Sequence, residues 1–133
     1  MAGYSGTPLV KKLGIKEGAR VFFVGAPPTY GKTLGKLTGV SVVKTLKAPV
    51  DFIQFFTTSS RTLDAKFPAL AKSLTPAGML WISWPKRASK VETDLTEDVV
   101  RGVGLTYGLV DVKVCAVDDT WSGLKFVRRL ADR

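Results

Sequence analysis

Few residue types in this chain can do acid–base or metal chemistry. Among 133 residues there is no histidine and a single cysteine, Cys115. That removes the commonest general base, the Ser–His and Cys–His nucleophile pairs, and the commonest metal ligand. A zinc site is not expected with one cysteine and no imidazole, and no metal is assigned. Catalysis would have to rest on Asp, Glu, Lys, Tyr or backbone groups, and no residue stands out as catalytic.

The most informative stretch is Val21–Thr33, V-F-F-V-G-A-P-P-T-Y-G-K-T. An apolar run, a glycine, two prolines and a helix start form the pattern by which a first strand meets a ligand loop. Gly31-Lys32-Thr33 resembles the end of a phosphate-binding loop, which needs four residues between its glycines. Here five residues separate Gly25 from Gly31, and two of them are proline. A nucleoside triphosphatase is therefore not expected. Lys32 is read as a solvated helix residue, with anion binding as the alternative.

In open α/β sheets, ligands bind beyond the carboxyl ends of the strands. Those ends are expected at Gly25–Pro28, Thr57–Arg61 and Trp84–Lys86. Gly25, Ala26, Pro27, Thr57, Ser59 and Trp84 are thus the candidate cofactor-binding residues. Lys32, Arg61, Lys86 and Arg87 are the candidate anion-binding ones. The plain alternative for Thr57–Ser60 is helix capping. Lys86, Arg87 and Lys90 beside Trp84 could neutralise and stack a nucleic-acid strand, or simply be solvated loop charge. Asp118–Gly123, D-D-T-W-S-G, reads as a turn, with a partner-binding tip as the alternative. Cys115 falls in an alternating strand and reads as core.

These residues need a frame. Thr7-Pro8 reads as a hydroxyl cap and first helical proline, opening a short helix that Gly14 ends. Strands are expected at Ala19–Val24, Val40–Thr45, Val50–Thr57, Met79–Trp84, Val110–Val117 and Leu124–Arg129. A short helix over Thr29–Leu37 is weakened by Gly31 and Gly35. A second, capped by Ser59 or Ser60, carries the stripe Leu63, Phe67, Leu70, Leu74. Pro76-Ala77-Gly78 is expected to turn the chain. Asp94 with Glu97 resembles a capping arrangement for a third helix through Val99, Val100, Val103 and Leu105, ended by glycines. Alternating strands and helices closing on a hairpin predict a single three-layer α/β sandwich of five or six strands over residues 1–133. The sheet should be mostly parallel, the first strand central, the Trp84 strand near it and the terminal hairpin on one edge.

Charge is distributed unevenly. The net charge is +9, and residues 1–50 hold eight Lys/Arg against the lone acid Glu17. A basic half of this kind points to anionic partners: an anionic small ligand, an acidic protein surface or, with less support, nucleic acid. The longest apolar run is strand-sized, so no membrane span is expected. The opening M-A-G-Y-S-G-T-P lacks the pattern of a signal peptide, and the lone cysteine forms no internal disulfide. A cytoplasmic location is the expectation.

The order G-x-R-V-F-F-V-G, V-D-F-I-Q-F-F, L-T-P-A-G-M-L-W-I-S-W-P and terminal hairpin resembles class I S-adenosylmethionine-dependent methyltransferases. Over residues 15–130 this resemblance implies a Rossmann-like, methyltransferase-like sandwich, with S-adenosylmethionine as the implied cofactor. W-I-S-W-P-K, T-E-D-V-V-R and G-L-V-D-V-K-V-C-A-V-D-D-T-W-S-G-L-K-F further resemble a small bacterial family of unknown function, sometimes labelled methyltransferase-like.

Three departures from the methyltransferase pattern matter. The first loop has Gly25-Ala26-Pro27-Pro28 where that family carries several glycines, and each proline removes a donor. The region where an acid would hold the ribose hydroxyls reads Lys44-Thr45-Leu46-Lys47. Only six residues separate Val43 from Val50, too few for a helical crossover, so the second strand is very short, antiparallel, or joined by an extended tether. Asp51 matches the family's "D-hydrophobic" strand but starts that strand, far from the cleft. The expectation is a truncated methyltransferase-like domain, non-catalytic, binding an anionic ligand or partner through a basic cleft. The alternatives are an active methyltransferase and a nucleic-acid-binding accessory module.

Overall fold

The computed structural model describes residues 7–133. Residues 1–6, on which the expectation of no signal segment partly rests, lie outside them. The elements run α1 (Leu9–Leu13), β1 (Arg20–Val24), α2 (Tyr30–Leu34), β2 (Ser41–Val42), β3 (Val50–Phe56), α3 (Ser60–Lys72), β4 (Leu74–Pro85), α4 (Glu97–Thr106), β5 (Leu109–Ala116) and β6 (Trp121–Arg128). They build one six-stranded sheet in the order β2-β1-β3-β4-β6-β5. β2, β1, β3 and β4 are parallel, while β6 runs antiparallel between β4 and β5. The predicted mixed, mostly parallel sandwich is therefore the observed one.

Each face of the sheet carries its own core. Ile53, Phe55, Leu80, Ile82, Trp84, Leu124 and Phe126 pack with Leu63, Phe67 and Leu70 of α3 and Val100 of α4. Phe67 is fully buried, edge-on to Phe126 and stacked on Tyr107. Across the sheet, Val21, Phe52, Phe56 and Trp81 pack with Leu13, Tyr30 and Leu34 of the two short helices. The Trp81 indole donates to the Leu13 carbonyl at 2.8 Å, which pins α1 to the sheet centre.

Several local expectations change. Pro8, not Thr7, is the cap of α1, with no side-chain hydrogen bond. α2 stops at Leu34 because Gly35 turns left-handed (φ 83°). β2 is two residues long and parallel to β1. The link to β3 is an extended tether without a helix, and its Val43 and Leu46 pack on the α3 side. β1 is flanked on both sides yet lies one strand from the edge, because no strand follows beyond β2. Thr75–Gly78 does not turn the chain: it is a bulge inside β4, where Val50 pairs with Leu74 and Phe52 with Met79.

Asp94 does not cap the helix that follows it. Thr96 caps α4, its side chain accepting from the Val99 amide at 3.2 Å. Gly104 stays within α4 rather than ending it. A Cβ there would sit 2.0 Å from the Phe126 ring, so only glycine lets the helix lie this close to β6. Asp51 is structural: its carboxylate accepts from the Arg20 amide and the Thr75 hydroxyl, tying β1 and the β4 bulge to the start of β3.

Candidate functional site

Parallel register brings three expected loops to one edge. Val24 pairs with Phe55, and Phe56 with Ser83, so Gly25, Thr57 and the residues after Pro85 leave the sheet side by side. The chain leaving β1 crosses to β2 on one side and the chain leaving β3 crosses to β4 on the other, making the β1 and β3 ends the topological switch point at which such sheets take ligands. Gly25 is exposed and left-handed (φ 69°), and a Cβ on it would lie 2.6 Å from the Phe56 carbonyl. The glycine is needed for backbone to approach backbone here. Ala26 is exposed, and the Pro27 carbonyl accepts from the Tyr30 amide at 2.9 Å, starting α2.

At the β3 end, polar groups are already spoken for. The Thr57 hydroxyl accepts from the Ser59 amide at 3.3 Å, and the Ser59 hydroxyl caps α3 by accepting from Thr62 at 3.2 Å. Asp94 closes the same helix end, accepting from the Ser60 amide (2.8 Å) and hydroxyl (2.6 Å). Those two donors hold the Asp94 carboxyl below its ordinary value. Thr93 donates to the Thr58 carbonyl at 2.6 Å. The result is an open cavity of about 490 Å³ lined by Thr58, Ser59, Glu92, Thr93 and Asp94. The positive end of the α3 dipole, the natural seat for an anion, is occupied by the protein's own carboxylate.

The other candidates divide between edge and core. Lys32, Arg61 and Arg87 are exposed around the edge, and Lys86 is half-buried, its amide donating to Thr120 at 2.7 Å. None of these four has an ion-pair partner among the described residues. Trp84 is 5% exposed, and its side chain belongs to the core under α3 and α4 rather than to the loop surface. Asp118 makes a turn, accepting from the Thr120 and Trp121 amides at 2.8 Å. The Trp121 ring packs edge-on against Phe56 at 5.2 Å.

Beneath the loops runs a polar chain that sequence reading missed. The Tyr30 hydroxyl donates to Gln54 Oε1 at 2.6 Å, and Gln54 Nε2 donates to the Ser83 hydroxyl at 3.1 Å. Gln54 and Ser83 are fully buried, and Tyr30 nearly so. Burial pushes the Tyr30 phenol well above its ordinary value, although its bond to Gln54 opposes the shift. The one available signal was an amide inside the apolar strand V-D-F-I-Q-F-F. The chain ties the first residue of α2 to β3 and β4, and so holds the Gly25–Thr29 loop in place.

Solved structures share this architecture. A SAM-dependent methyltransferase from Aquifex aeolicus aligns over 93% of this chain and 89% of its own, with a TM-score of 0.61 at 21% identity. The magnesium protoporphyrin IX methyltransferase of Synechocystis PCC 6803, with bound SAM, aligns over 91% of this chain and 74% of its own (TM-score 0.58, 12% identity). A ribosomal protein L11 methylase from Lactobacillus delbrueckii subsp. bulgaricus gives 91%, 75%, 0.58 and 14%. The fold matches that of the SAM-dependent methyltransferases. No protein-family model matches the chain, and no curated protein does either. The likeness to a small bacterial family therefore stays an expectation from the sequence.

Judged against the methyltransferase pattern, the residues present fit the cofactor poorly. The chain leaving β2 passes through Val43 to Lys44, a cation where an acid would hold the ribose hydroxyls. From Gly18 to Val50 there is no carboxylate at all. The first loop replaces glycines with Pro27 and Pro28, leaving fewer amides to face a ligand.

Proposed function

We propose that this chain is a methyltransferase-fold domain that binds an anionic ligand at the carboxyl edge of its sheet and transfers no methyl group. One observation carries the reading. The segment building β1, α2 and β2, from Gly18 to Val50, holds Arg20, Lys32, Lys36, Lys44 and Lys47 and no acid. None of the five has an ion-pair partner among the described residues. An acid-free segment beside a switch-point crevice favours phosphate- or carboxylate-bearing ligands over a cationic sulfonium cofactor.

A second reading, an active S-adenosylmethionine-dependent methyltransferase, is favoured by Gly25. Its left-handed turn between β1 and α2 is the feature of that fold retained most fully here. Thermal unfolding with S-adenosylmethionine, S-adenosylhomocysteine, ATP and a short RNA, added separately, decides between the two. A ligand at 100 times its dissociation constant adds about 2.7 kcal/mol, a midpoint rise of several degrees at this size. The proposal expects that rise with ATP or RNA and none with the adenosyl compounds. A rise confined to the adenosyl compounds replaces it with the second reading.

A further inference from the structure

Exposed apolar side chains gather along one outer strand and the helix above it. Of the seven large apolar residues exposed among the described residues, four lie on α4 and β5: Val99, Leu105, Val112 and Val114, at 39–54% exposure. β5 is the outermost strand, paired only with β6. Its register shifts between Asp111 and Lys113, which leaves Val112 without a partner on β6. Val114 pairs with Leu124, and Leu124 packs in the same core as Val100 of α4, so Val114 lies on the α4 side of the sheet. Arg101 of α4 holds Asp111 of β5 at 2.9 Å and joins the two elements into one surface.

α4 carries two interior glycines, each costing helix stability relative to alanine. The Phe126 ring explains Gly104. A Cβ on Gly102 would meet nothing within 4 Å beyond its own helix and chain neighbours, so no contact of this chain asks for glycine there. Val99 precedes Gly102 by three residues and Leu105 follows it by three, a spacing that shares a helix face. The order apolar, small, apolar reads alike in both directions. An antiparallel copy of α4 crossing at Gly102 sets Val99 against Leu105 and Leu105 against Val99, as a two-fold contact requires.

Charge selects a second copy as the occupant. The whole chain is +9, yet α4 and β5 carry Glu97, Asp98 and Asp111 against Arg101 and Lys113. Arg101 pairs with all three acids. The acid-free segment Gly18–Val50 builds β1 and β2, and β2 stands five strand spacings, roughly 24 Å, from β5. That is about three Debye lengths at physiological salt. Lys11 and Lys12 belong to α1, which packs on the opposite face of the sheet from α4. Two chains meeting through α4 and β5 therefore set near-neutral surfaces together and keep their basic ends apart. Contact along the eight residues of β5, about 27 Å, and about 20 Å across strand and helix buries roughly 1,100 Å² over both copies, just above the ~1,000 Å² of a specific interface. The register shift and Lys113 blunt β5 against open-ended ladder growth, which favours a closed pair.

We propose that a second copy of this chain docks on the α4–β5 edge about a two-fold axis, burying Val99, Gly102, Leu105, Val112 and Val114 in a reversible homodimer. The ends of β1 and β3 take no part in the contact, so this interface and the carboxyl-edge ligand site fail separately.

The test is sedimentation equilibrium of the full chain, without added ligand, from micromolar to millimolar concentration. Wild type should show a monomer–dimer equilibrium with little salt dependence. Val112→Lys and Leu105→Lys, both at exposed positions, should each weaken the dimer at least tenfold, about 1.4 kcal/mol. Val42→Lys, at an exposed valine of β2, should leave it unchanged. Gly102→Ala separates association from folding. It should raise the thermal midpoint of the dilute monomer, because alanine favours the helix, while weakening the dimer. A wild type still monomeric at millimolar concentration, a dimer equally strong in the α4 and β5 variants, or one lost only in Val42→Lys overturns the interface.

Discussion

The chain before β3 and the chain from β3 onward are built differently. Beyond Val50, helices of 13 and 10 residues are capped by Ser59 and Thr96, and Arg101 joins Glu97, Asp98 and Asp111 in one ion-pair cluster. Arg128 adds a clamp, donating to the carbonyls of Ala71, Leu74 and Thr75 at 2.7–3.0 Å. Before Val50, two five-residue helices lack side-chain caps, β2 has two residues, and a tether stands in place of a helix. Its acids are nearly gone, and Arg20, Lys32, Lys36, Lys44 and Lys47 have no ion-pair partner among the described residues. One part holds the fold; the other, on the function proposed above, presents backbone and charge to a ligand.

If that division is real, core truncation should hurt the later part most. Phe67→Ala is expected to cost about 3–5 kcal/mol. Leu37→Ala, at a half-buried position of the earlier part, should cost under about 2 kcal/mol. Urea unfolding measures both, and equal losses would break the comparison. Gly25→Ala is the exception within the earlier part. Its left-handed backbone and the Phe56 carbonyl predict a cost of about 1–3 kcal/mol, with loss of carboxyl-edge ligand binding. Unchanged stability and binding in that variant would remove the loop from the site.

Tyr30→Phe tests the bridge between the two parts. It strands the buried Gln54 carbonyl, at a cost of about 1–3 kcal/mol. It should also change the alkaline limb. The folded Tyr30 keeps its proton above pH 10, where the unfolded chain releases it, so wild-type stability falls as pH rises beyond about 10. Lys125 acts in the opposite sense, its penalty disappearing as pH rises towards 10.5. Without Tyr30 the alkaline decline should flatten; an unaltered decline would mean another group causes it. The smallest contrast lies at the caps. Ser59→Ala should cost about 1 kcal/mol, whereas Thr29→Ala, at a position making no cap bond, should cost almost nothing. Thermal midpoints of the two variants check this.

The later part was far more legible in the sequence. Periodicity placed α3 and three of its four stripe residues, because Leu63, Phe67 and Leu70 all face one apolar sheet, whereas Leu74 opens β4 instead of extending the helix. The six residues between Val43 and Val50 foretold a second strand that is very short, antiparallel or tethered, and it is both very short and tethered. What escaped was set by distant partners. Asp94 reads as a local cap, yet it closes a helix 34 residues earlier. Trp84 reads as a ligand platform because its neighbours are basic, yet strand alternation turns its ring into the core. The Tyr30–Gln54–Ser83 chain joins three elements at separations that no local pattern encodes.

On the proposed function, a methyltransferase frame has lost its cofactor site and kept an anion site. Calorimetric titration with S-adenosylhomocysteine tests this most directly, since binding requires no methyl acceptor. No saturable binding is expected up to about 1 mM, where even a weak site would give about −4 kcal/mol. Saturable one-to-one binding in the micromolar range, abolished by Gly25→Ala, would contradict it and establish the cofactor site.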